Sequence, residues 1–480
     1  MPERGGRPLT GCGIRFPMSK VSSARILRFF AFVALLISPL GLKAQPVPPQ
    51  VAQGPPMGWN SWDAYGLTID EAQFRDNVKV LAGMKQYGWQ YAVIDEGWYM
   101  RDPFAATTAK QKYLYDQNGL LLPVAERFPT SADNAGFKPL SDWVHSLGLK
   151  FGIHIVRGIP KEVVERNLTI AGSSFHAADA ADRDATCPWN DANFGVADNA
   201  AGQAYYDSML KRYADWGVDY IKVDCISDHP YRPTEIRQVA EAIRKTGRPM
   251  VLSLSPGPTS LSHAGEVAKY AQMWRITDDH WDVWMAANKG KDSEFPFGLK
   301  EEFDRIAEWS KYVKPGSWPD PDMLPEGSLT PHPGWGEPRQ SHYTQDEQRS
   351  EFTLWAISRS PLIFGGNLTK LDEFTRGLMT NREVTDLNQS SDAGGPNVAA
   401  LSDRITPPWR AWYARNGGKT YAAVFNLADE AKTVDLPWKG FHISDRTHAA
   451  FDVWNAKQVP AAKTLHVALP PHGCALFRVE

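Results

Sequence analysis

Four apolar segments of this 480-residue chain end in carboxylates, and two of them also carry a cation: Asp95-Glu96, Lys222-Val223-Asp224, Arg275 to Asp278-Asp279, and Asp320-Pro321-Asp322. If these segments are parallel strands of one barrel, their carboxyl ends meet at one rim, where barrel enzymes build their sites. Two carboxylates about 5 Å apart are what a retaining glycosidase needs, one as nucleophile and one as acid and then base. The pattern therefore favours glycoside hydrolysis, although any single strand-end Asp can equally be a helix cap or a salt-bridge partner.

Strand alternation narrows the choice among these carboxylates. Successive side chains of a strand point to opposite faces, so Lys222 and Asp224 share a face, and Arg275 and Asp279 share parity. If Arg275 points into the site, Asp279 rather than Asp278 is the candidate from its segment. Lys222 would help to keep Asp224 ionised, as a nucleophile requires, whereas a proton donor near neutral pH needs a raised pKa.

The elements that would position these residues alternate between short strands and amphipathic helices from about residue 55 to 390. The predicted strands are Met57–Trp62, Tyr91–Trp98, Lys150–Ile155, Val218–Asp224, Pro249–Ser255, Ala271–Asp279, Ser317–Met323 and Pro361–Gly365. Apolar residues at three-to-four spacing predict the helices, among them Asp70–Tyr87, Pro139–Leu147, Gly202–Trp216, Pro233–Lys245, Phe303–Val313 and Gln345–Ser358. This order predicts a (β/α)8 TIM barrel. No glycine-rich phosphate loop follows the first strand, which weakens a dinucleotide-binding alternative.

The pattern changes near Asn397. Short alternating strands follow, at Tyr421–Asn426, Thr433–Leu436, Ala450–Trp454, Leu465–Leu469 and Ala475–Val479. They predict a C-terminal antiparallel β-sandwich domain over residues 393–480, after a catalytic barrel over residues 45–392. An insertion over residues 156–200 follows the third strand and is predicted to lie on the active-site rim.

Residues 1–44 have the pattern of a signal peptide. Basic residues precede the apolar run Phe29–Leu42, which is short for a membrane span and is followed by Lys43-Ala44. We expect export to the periplasm or the extracellular space and no membrane association after cleavage. An uncleaved anchor is the alternative, and either Met1 or Met18 could be the start.

Composition excludes several classes of function. The hydrophobic fraction is 42% and the net charge is −3. Segment 1–44 contains seven basic residues and one acidic residue, so its loss takes the net charge to −9. A negative net charge argues against a nucleic-acid partner. The cysteines left after cleavage are Cys187, Cys225 and Cys474, so at most one disulfide can form. We expect no metal and no cofactor, because no His/Cys cluster has ligand spacing. A serine hydrolase is not expected, because no Gly-x-Ser-x-Gly elbow is present.

Four motifs resemble glycoside hydrolase family 27, the retaining α-galactosidases: Gly54–Trp62, Tyr220–Asp224, Trp274–Asp279 and Trp318–Leu324. The resemblance covers nearly the whole chain after residue 44 and implies a barrel followed by an antiparallel β domain. It makes Asp224 the nucleophile and Asp279 the acid/base. It also implies substrate-binding roles. Trp62 stacks on the sugar, and Asp95 and the residue after it bind O4 and O6. Lys222 binds O3 and O4, and Arg275 binds O2.

Three positions depart from the family pattern. Glu96 stands where a second Asp is usual, and its extra methylene would intrude at C6 and favour a β-L-arabinopyranoside. Ser255 stands where α-galactosidases place a Glu near O2, which leaves room for a 2-acetamido group. Cys225 directly follows Asp224, whereas the family places a disulfide-bonded Cys one residue later. One interpretation is that Cys187 and Cys225 nevertheless form a disulfide.

The sequence therefore predicts an exported retaining exo-glycosidase that releases terminal α-D-galactopyranosides from small, oligosaccharide or polysaccharide glycosides. A β-L-arabinopyranosidase or an α-N-acetylgalactosaminidase with the same mechanism is the alternative. A non-catalytic carbohydrate-binding protein is the alternative from another class. The sequence does not determine the oligomeric state.

Overall fold

The computed structural model describes residues 51–104, 112–286, 295–330, 337–392 and 408–480. The predicted signal segment 1–44 and the predicted domain boundary at 392/393 fall on or beside residues outside these ranges. Within them, no helix combines the length and the apolar character that a membrane crossing requires.

Eight parallel strands form the barrel, one for each predicted segment, and the third extends one residue past its predicted end at Ile155. They are β1 (Met57–Asn60), β2 (Tyr91–Ile94), β3 (Lys150–Val156), β4 (Tyr220–Asp224), β5 (Val251–Leu254), β6 (Met273–Arg275), β7 (Trp318–Asp320) and β8 (Leu362–Phe364). Each strand pairs with the next from β1 to β7, and β8 pairs with β1. The ring closes just beyond β7, where the Leu324 N–H donates to the Ile363 carbonyl at 2.8 Å and Leu324 forms a parallel bridge with Phe364.

The longer helices cover the outside of this sheet, as the apolar spacing predicts, whereas Trp62–Tyr65 lies at the rim and Lys161–Glu165 and Ala177–Ala180 belong to the insertion. The longer helices span Glu71–Ala82, Lys138–Ser146, Ala200–Asp215, Pro233–Thr246, Leu299–Trp309, Gln345–Ser358 and Arg382–Ser390, and the shorter ones span Trp62–Tyr65, Lys161–Glu165, Ala177–Ala180, Ala264–Tyr270 and Glu373–Met379. Local sequence sets where several begin. Thr344 and Glu347 form a reciprocal capping box at one N-terminus, and Asp70 and Gln73 do so at another.

Most strands are shorter than predicted because the polar residues at their ends belong to the rim. β6 stops at Arg275, so strand alternation does not extend to Asp278 and Asp279, and the parity argument for choosing between them does not apply. The insertion after β3 forms a small three-stranded sheet with Asn193–Val196 in its centre.

The C-terminal domain is an antiparallel sandwich, as predicted. Its strands are β9 (Trp409–Asn416), β10 (Lys419–Asn426), β11 (Lys432–Pro437), β12 (His448–Asp452), β13 (Lys457–Ala462), β14 (Thr464–Leu469) and β15 (Cys474–Val479). Five pair in the order β9-β10-β15-β12-β13, and β11 pairs with β14 across a shared apolar core. The sequence prediction missed β9, which follows the predicted boundary, and β13, whose residues are mostly exposed and carry no apolar alternation.

The helix Gln345–Ser358 joins the two domains. The Ser350 hydroxyl donates to the His472 carbonyl at 2.6 Å, and the Trp454 indole donates to Thr353 Oγ1 at 2.9 Å. One face of this helix packs against the barrel, where the Trp355 indole donates to the Asp322 carbonyl, and the other packs on the sandwich, so nearly all of its residues are buried.

Candidate active site

A cavity of about 690 Å³ opens at the carboxyl ends of the barrel strands. The eight residues that the sequence singles out for catalysis or substrate binding all line it: Trp62, Asp95, Glu96, Lys222, Asp224, Ser255, Arg275 and Asp279. They come from β1, β2, β4, β5 and β6 or from the residues that directly follow these strands. Parallel strands leave their polar ends at one rim, which is why residues far apart in the chain meet here.

Asp95 forms the charged floor of the cavity. Its Oδ2 accepts hydrogen bonds from Asn60 Nδ2 at 2.7 Å and from Lys222 Nζ at 3.1 Å, and its Oδ1 accepts from the Glu96 N–H at 2.8 Å. Burial by itself would raise the pKa of Asp95, but the Lys222 and His154 charges and these donors lower it to about 2. Asp95 is therefore an ionised acceptor at neutral pH, suited to bind sugar hydroxyls.

Lys222 and Asp224 point to the same side of β4, as strand alternation predicts. Burial opposes the charge on Lys222, but the neighbouring Asp95, Asp322 and Asp224 raise the pKa of Lys222 above its ordinary value. Asp224 is partly buried, and its Oδ2 accepts a hydrogen bond from Trp189 Nε1 at 3.2 Å. Asp224 thus lies at the cavity wall with a cation and an indole N–H as neighbours.

Glu96 lies beside Asp95 and is held by the insertion after β3. The buried Asn190 donates from Nδ2 to Glu96 Oε1 at 3.0 Å, and Tyr113 hydrogen-bonds Asn190 in turn. Burial and the adjacent charges of Asp224 and Asp95 raise the pKa of Glu96 to about 8. Glu96 therefore carries its proton at neutral pH, in contrast to Asp95.

Arg275 is fully buried and connects two acids at the sixth strand end. Its guanidinium contacts Asp279 Oδ1 at 3.3 Å and Asp322 Oδ2 at 2.8 Å. Asp322 Oδ2 also accepts the His280 N–H at 2.9 Å, so this carboxylate fixes the backbone directly after Asp279. The Asp279 side chain remains 40% exposed and faces the cavity, and Asp278 lines the same cavity.

A buried polar layer lies behind Asp279. His280 Nε2 and Glu351 Oε1 are 2.6 Å apart, and the Tyr343 hydroxyl lies 3.2 Å from the same nitrogen. Burial lowers the pKa of His280 to about 3, and burial together with Glu326 raises the pKa of Glu351 well above its ordinary value. The imidazole of His280 is therefore neutral, and it shares this hydrogen bond with a carboxyl whose ionisation is disfavoured by burial and by Glu326.

The insertion is fastened to the end of β4. A Cys187–Cys225 disulfide joins the two, with Cα atoms 6.0 Å apart, and Cys474 is a buried free thiol. The buried Arg157 donates to the Cys225, Ala185 and Thr186 carbonyls and pairs with Glu235 at 2.8 Å. These links place the residues that follow Cys187 over the cavity.

Sequence reasoning missed Trp189 and Asn190. Both lie in the insertion, where no strand or helix periodicity predicts which side chains face the site. The available signal was their position two and three residues after a cysteine that pairs beside Asp224. It also missed Asn60, although the first matched motif contains it, since nothing in the motif shows that its amide contacts Asp95.

Ser255 and Trp62 complete the lining. Ser255 is buried at the end of β5, where its N–H donates to the Val223 carbonyl at 2.9 Å. The Trp62 N–H donates to Asn60 Oδ1 at 2.8 Å, and its ring is half-buried at the cavity wall. Among the described residues, no three His, Cys, Asp or Glu side chains are arranged to hold a metal ion.

Comparisons with known proteins agree with this architecture. The family model "Alpha galactosidase A" matches residues 192–390, and the model "Alpha galactosidase C-terminal beta sandwich domain" matches residues 407–479. Alpha-galactosidase A of Cellvibrio japonicus is 28% identical over 90% of this chain and 93% of its own length. Alpha-galactosidase 2 of Arabidopsis thaliana is 27% identical over 89% of each chain.

A solved structure lies nearer in sequence than these two relatives. The family 27 β-L-arabinopyranosidase of Geobacillus stearothermophilus is 38% identical, with a TM-score of 0.82 over 89% of this chain and 97% of that enzyme. A variant of that enzyme has been solved in complex with arabinose.

Proposed function

Since this chain belongs to glycoside hydrolase family 27, we propose that it is a retaining exo-glycosidase that prefers terminal β-L-arabinopyranosides over α-D-galactopyranosides. The two sugars share ring configuration, and the arabinoside lacks the C6 hydroxymethyl group. Glu96 carries the proposal, because a longer side chain than the usual Asp is fixed by Asn190 at 3.0 Å beside Asp95. The 38% identity to the Geobacillus arabinopyranosidase supports the same choice.

The proposed reaction is a double displacement. One carboxylate oxygen of Asp224 bonds to the anomeric carbon while the bond to the aglycone oxygen breaks, and Asp279 delivers its proton to that oxygen. A water molecule then bonds to the same carbon and gives a proton to Asp279 as the ester bond to Asp224 breaks. Arg275 holds Asp279 at 3.3 Å, and Lys222 lies on the same side of β4 as Asp224.

Substrate binding follows from the polarity of the cavity. Ionised Asp95 and cationic Lys222 are hydrogen-bonded to each other at 3.1 Å and would bind adjacent sugar hydroxyls. Trp62 offers a half-buried ring to the apolar face of the sugar. Protonated Glu96 fills the space next to this pair, where the family resemblance places the substituent at C5.

The test is the Glu96→Asp variant, assayed on 4-nitrophenyl β-L-arabinopyranoside and 4-nitrophenyl α-D-galactopyranoside. One methylene of space changes selectivity by roughly 10- to 100-fold, so the kcat/KM ratio should move toward the galactoside by that factor. Glu165→Asp, an exposed site on the insertion, is the matched control and should leave the ratio unchanged. A wild-type preference for the galactoside would show that the assigned sugar is wrong, and an unchanged ratio in Glu96→Asp would show that Glu96 does not set the preference.

The mechanism has its own test. Asp224→Ala should lower kcat by several orders of magnitude on both glycosides, because the covalent step has no other acceptor. The thermal unfolding temperature reports whether the variant is folded. Near-normal turnover in a folded Asp224→Ala protein contradicts the proposed nucleophile.

A 2-acetamido substrate is the second candidate, because a specific feature favours it. The buried Ser255 lines the cavity, and its small side chain leaves space beside O2. Adding 4-nitrophenyl 2-acetamido-2-deoxy-α-D-galactopyranoside to the same assay tests this candidate directly. A kcat/KM above that for the arabinopyranoside would favour it.

Export is proposed from the sequence of residues 1–44. Signal cleavage after Ala44 would leave Gln45 as the first residue of the mature chain. Intact-mass spectrometry of protein recovered from the culture medium or the periplasm should give that N-terminus. Activity confined to the cytoplasm, on the full-length chain, would contradict it.

A further inference from the structure

Trp189 is an exposed aromatic residue in direct contact with the proposed nucleophile. Its side chain is 43% exposed, yet its Nε1 lies 3.2 Å from Asp224 Oδ2. The ring is therefore only partly covered by its neighbours, and the hydrogen bond holds its N–H edge beside the Asp224 carboxylate.

The chain anchors Trp189 there. Cys187, two residues before it, is bonded to Cys225, which directly follows Asp224. Arg157 donates to the Cys225 and Thr186 carbonyls and so ties both sides of that link together. Asn190, the next residue, is held by Tyr113 and Glu96. The indole N–H is thus delivered to Asp224 by neighbours fixed on both sides.

Resting on the proposed function, we infer that Trp189 is a positioning residue that controls the charge of Asp224 through the reaction cycle. Asp224 is a full carboxylate in the free enzyme, becomes an ester when one oxygen bonds to the anomeric carbon, and is a carboxylate again after hydrolysis. The indole N–H binds the oxygen that does not attack.

A hydrogen bond to a carboxylate is stronger than one to an ester carbonyl. Trp189 therefore stabilises the charged forms of Asp224 relative to the covalent intermediate. In the second step, Asp224 is the leaving group, and the N–H stabilises the charge that returns to it. Loss of this donor should make the intermediate longer-lived rather than weaken the site as a whole.

The Trp189→Phe variant, which keeps a ring and removes the N–H, tests this inference. The substrate is 2,4-dinitrophenyl β-L-arabinopyranoside, whose good leaving group makes hydrolysis of the intermediate the slow step. We expect kcat to fall about tenfold, the worth of one hydrogen bond to a charged acceptor, with a parallel fall in KM. Intact-mass spectrometry after acid quench should show a larger fraction of enzyme carrying one pentosyl group.

Comparing the change in kcat with the change in kcat/KM distinguishes this role from a purely structural one. The value of kcat/KM covers only the steps up to formation of the intermediate, so it should stay within about twofold of the wild-type value. Trp143→Phe, on the outer helix Lys138–Ser146, is the control and should change neither constant. A wild-type kcat in Trp189→Phe overturns the inference, as does a fall in kcat/KM equal to the fall in kcat without accumulation of the intermediate.

The Asp224→Ala result separates this inference from the proposed function. If Asp224→Ala is inactive and Trp189→Phe behaves as wild type, the role of Trp189 alone is wrong. If Asp224→Ala remains active, the proposed mechanism itself is wrong.

Discussion

The rim of the barrel and the C-terminal sandwich place their charges in opposite ways. At the rim, Asp95, Arg275 and Asp322 are each at least 96% buried; Asp95 pairs with Lys222, and Arg275 pairs with Asp322. In the sandwich, apolar side chains such as Phe441 fill the core, while an ion pair such as Asp435–His466 is about two-thirds exposed. Burying a charged group costs free energy unless the group is paired. The rim therefore keeps buried charged groups at a cost in stability, whereas the core of the sandwich is apolar. The difference separates a region built for chemistry from one built for stability.

The largest expected effect is that of breaking the rim network. Asp322→Ala removes the carboxylate that holds both Arg275 and the His280 N–H. It leaves a buried guanidinium short of a partner, which costs about 3 to 5 kcal/mol in the free energy of unfolding. Because Asp279 is then poorly held, kcat should also fall by roughly 100-fold. Denaturant unfolding and steady-state kinetics measure the two effects, and an unchanged kcat in the folded fraction would show that Asp322 does not position the acid/base.

A core substitution in the sandwich should have a similar stability cost without the catalytic one. Phe441→Ala opens a cavity among fully buried apolar residues and should cost about 3 to 5 kcal/mol. At a temperature where the variant is folded, its kcat should equal that of the wild type. A loss of kcat in folded Phe441→Ala would mean that the sandwich supports the site, and that the two regions are not separable.

Glu96 at the rim should make the free energy of unfolding depend on pH. The pKa of Glu96 is about 8 in the folded protein, raised by burial and by Asp224, against an ordinary value of 4.5. The folded state therefore holds a proton that the unfolded state loses, so stability should fall as pH rises from about 4.5 to about 8 and level off above. In Glu96→Gln, which cannot titrate, the unfolding temperature should decline less over this interval. Equal slopes in the two proteins would contradict the raised pKa.

The smallest effect is expected at the exposed pair of the sandwich. Asp435→Asn removes a charge 2.8 Å from His466 at the surface and should change the free energy of unfolding by less than about 0.5 kcal/mol. Thermal unfolding at pH 6 measures this change. A loss above 1 kcal/mol would show that the sandwich also depends on charge pairs.

Local sequence patterns were sufficient to predict the barrel and most of the sandwich. Each of the eight predicted segments corresponds to a strand, because a buried parallel strand is a short apolar run bounded by turn residues. The prediction missed β13, which is mostly exposed and therefore shows no apolar face. It also extended β6 to Asp279, because the polar residues after Arg275 continue the segment without a turn signal.

The carboxylates at the strand ends follow from the sequence alone, because a barrel brings the ends of parallel strands to one rim whatever lies between them. Their states do not follow from it. Asp95 and Glu96 are neighbours in the chain, yet Lys222 and Asn60 keep the first ionised while burial beside Asp224 keeps the second protonated.

The tertiary structure likewise decided that Trp189 and Asn190 reach the cavity, since they lie in an irregular insertion that a disulfide and Arg157 fold back over it. Periodicity records which face of an element is buried. The distance between residues far apart in the chain depends on packing. That distance determines whether an acid such as Glu96 is charged and which donor reaches Asp224.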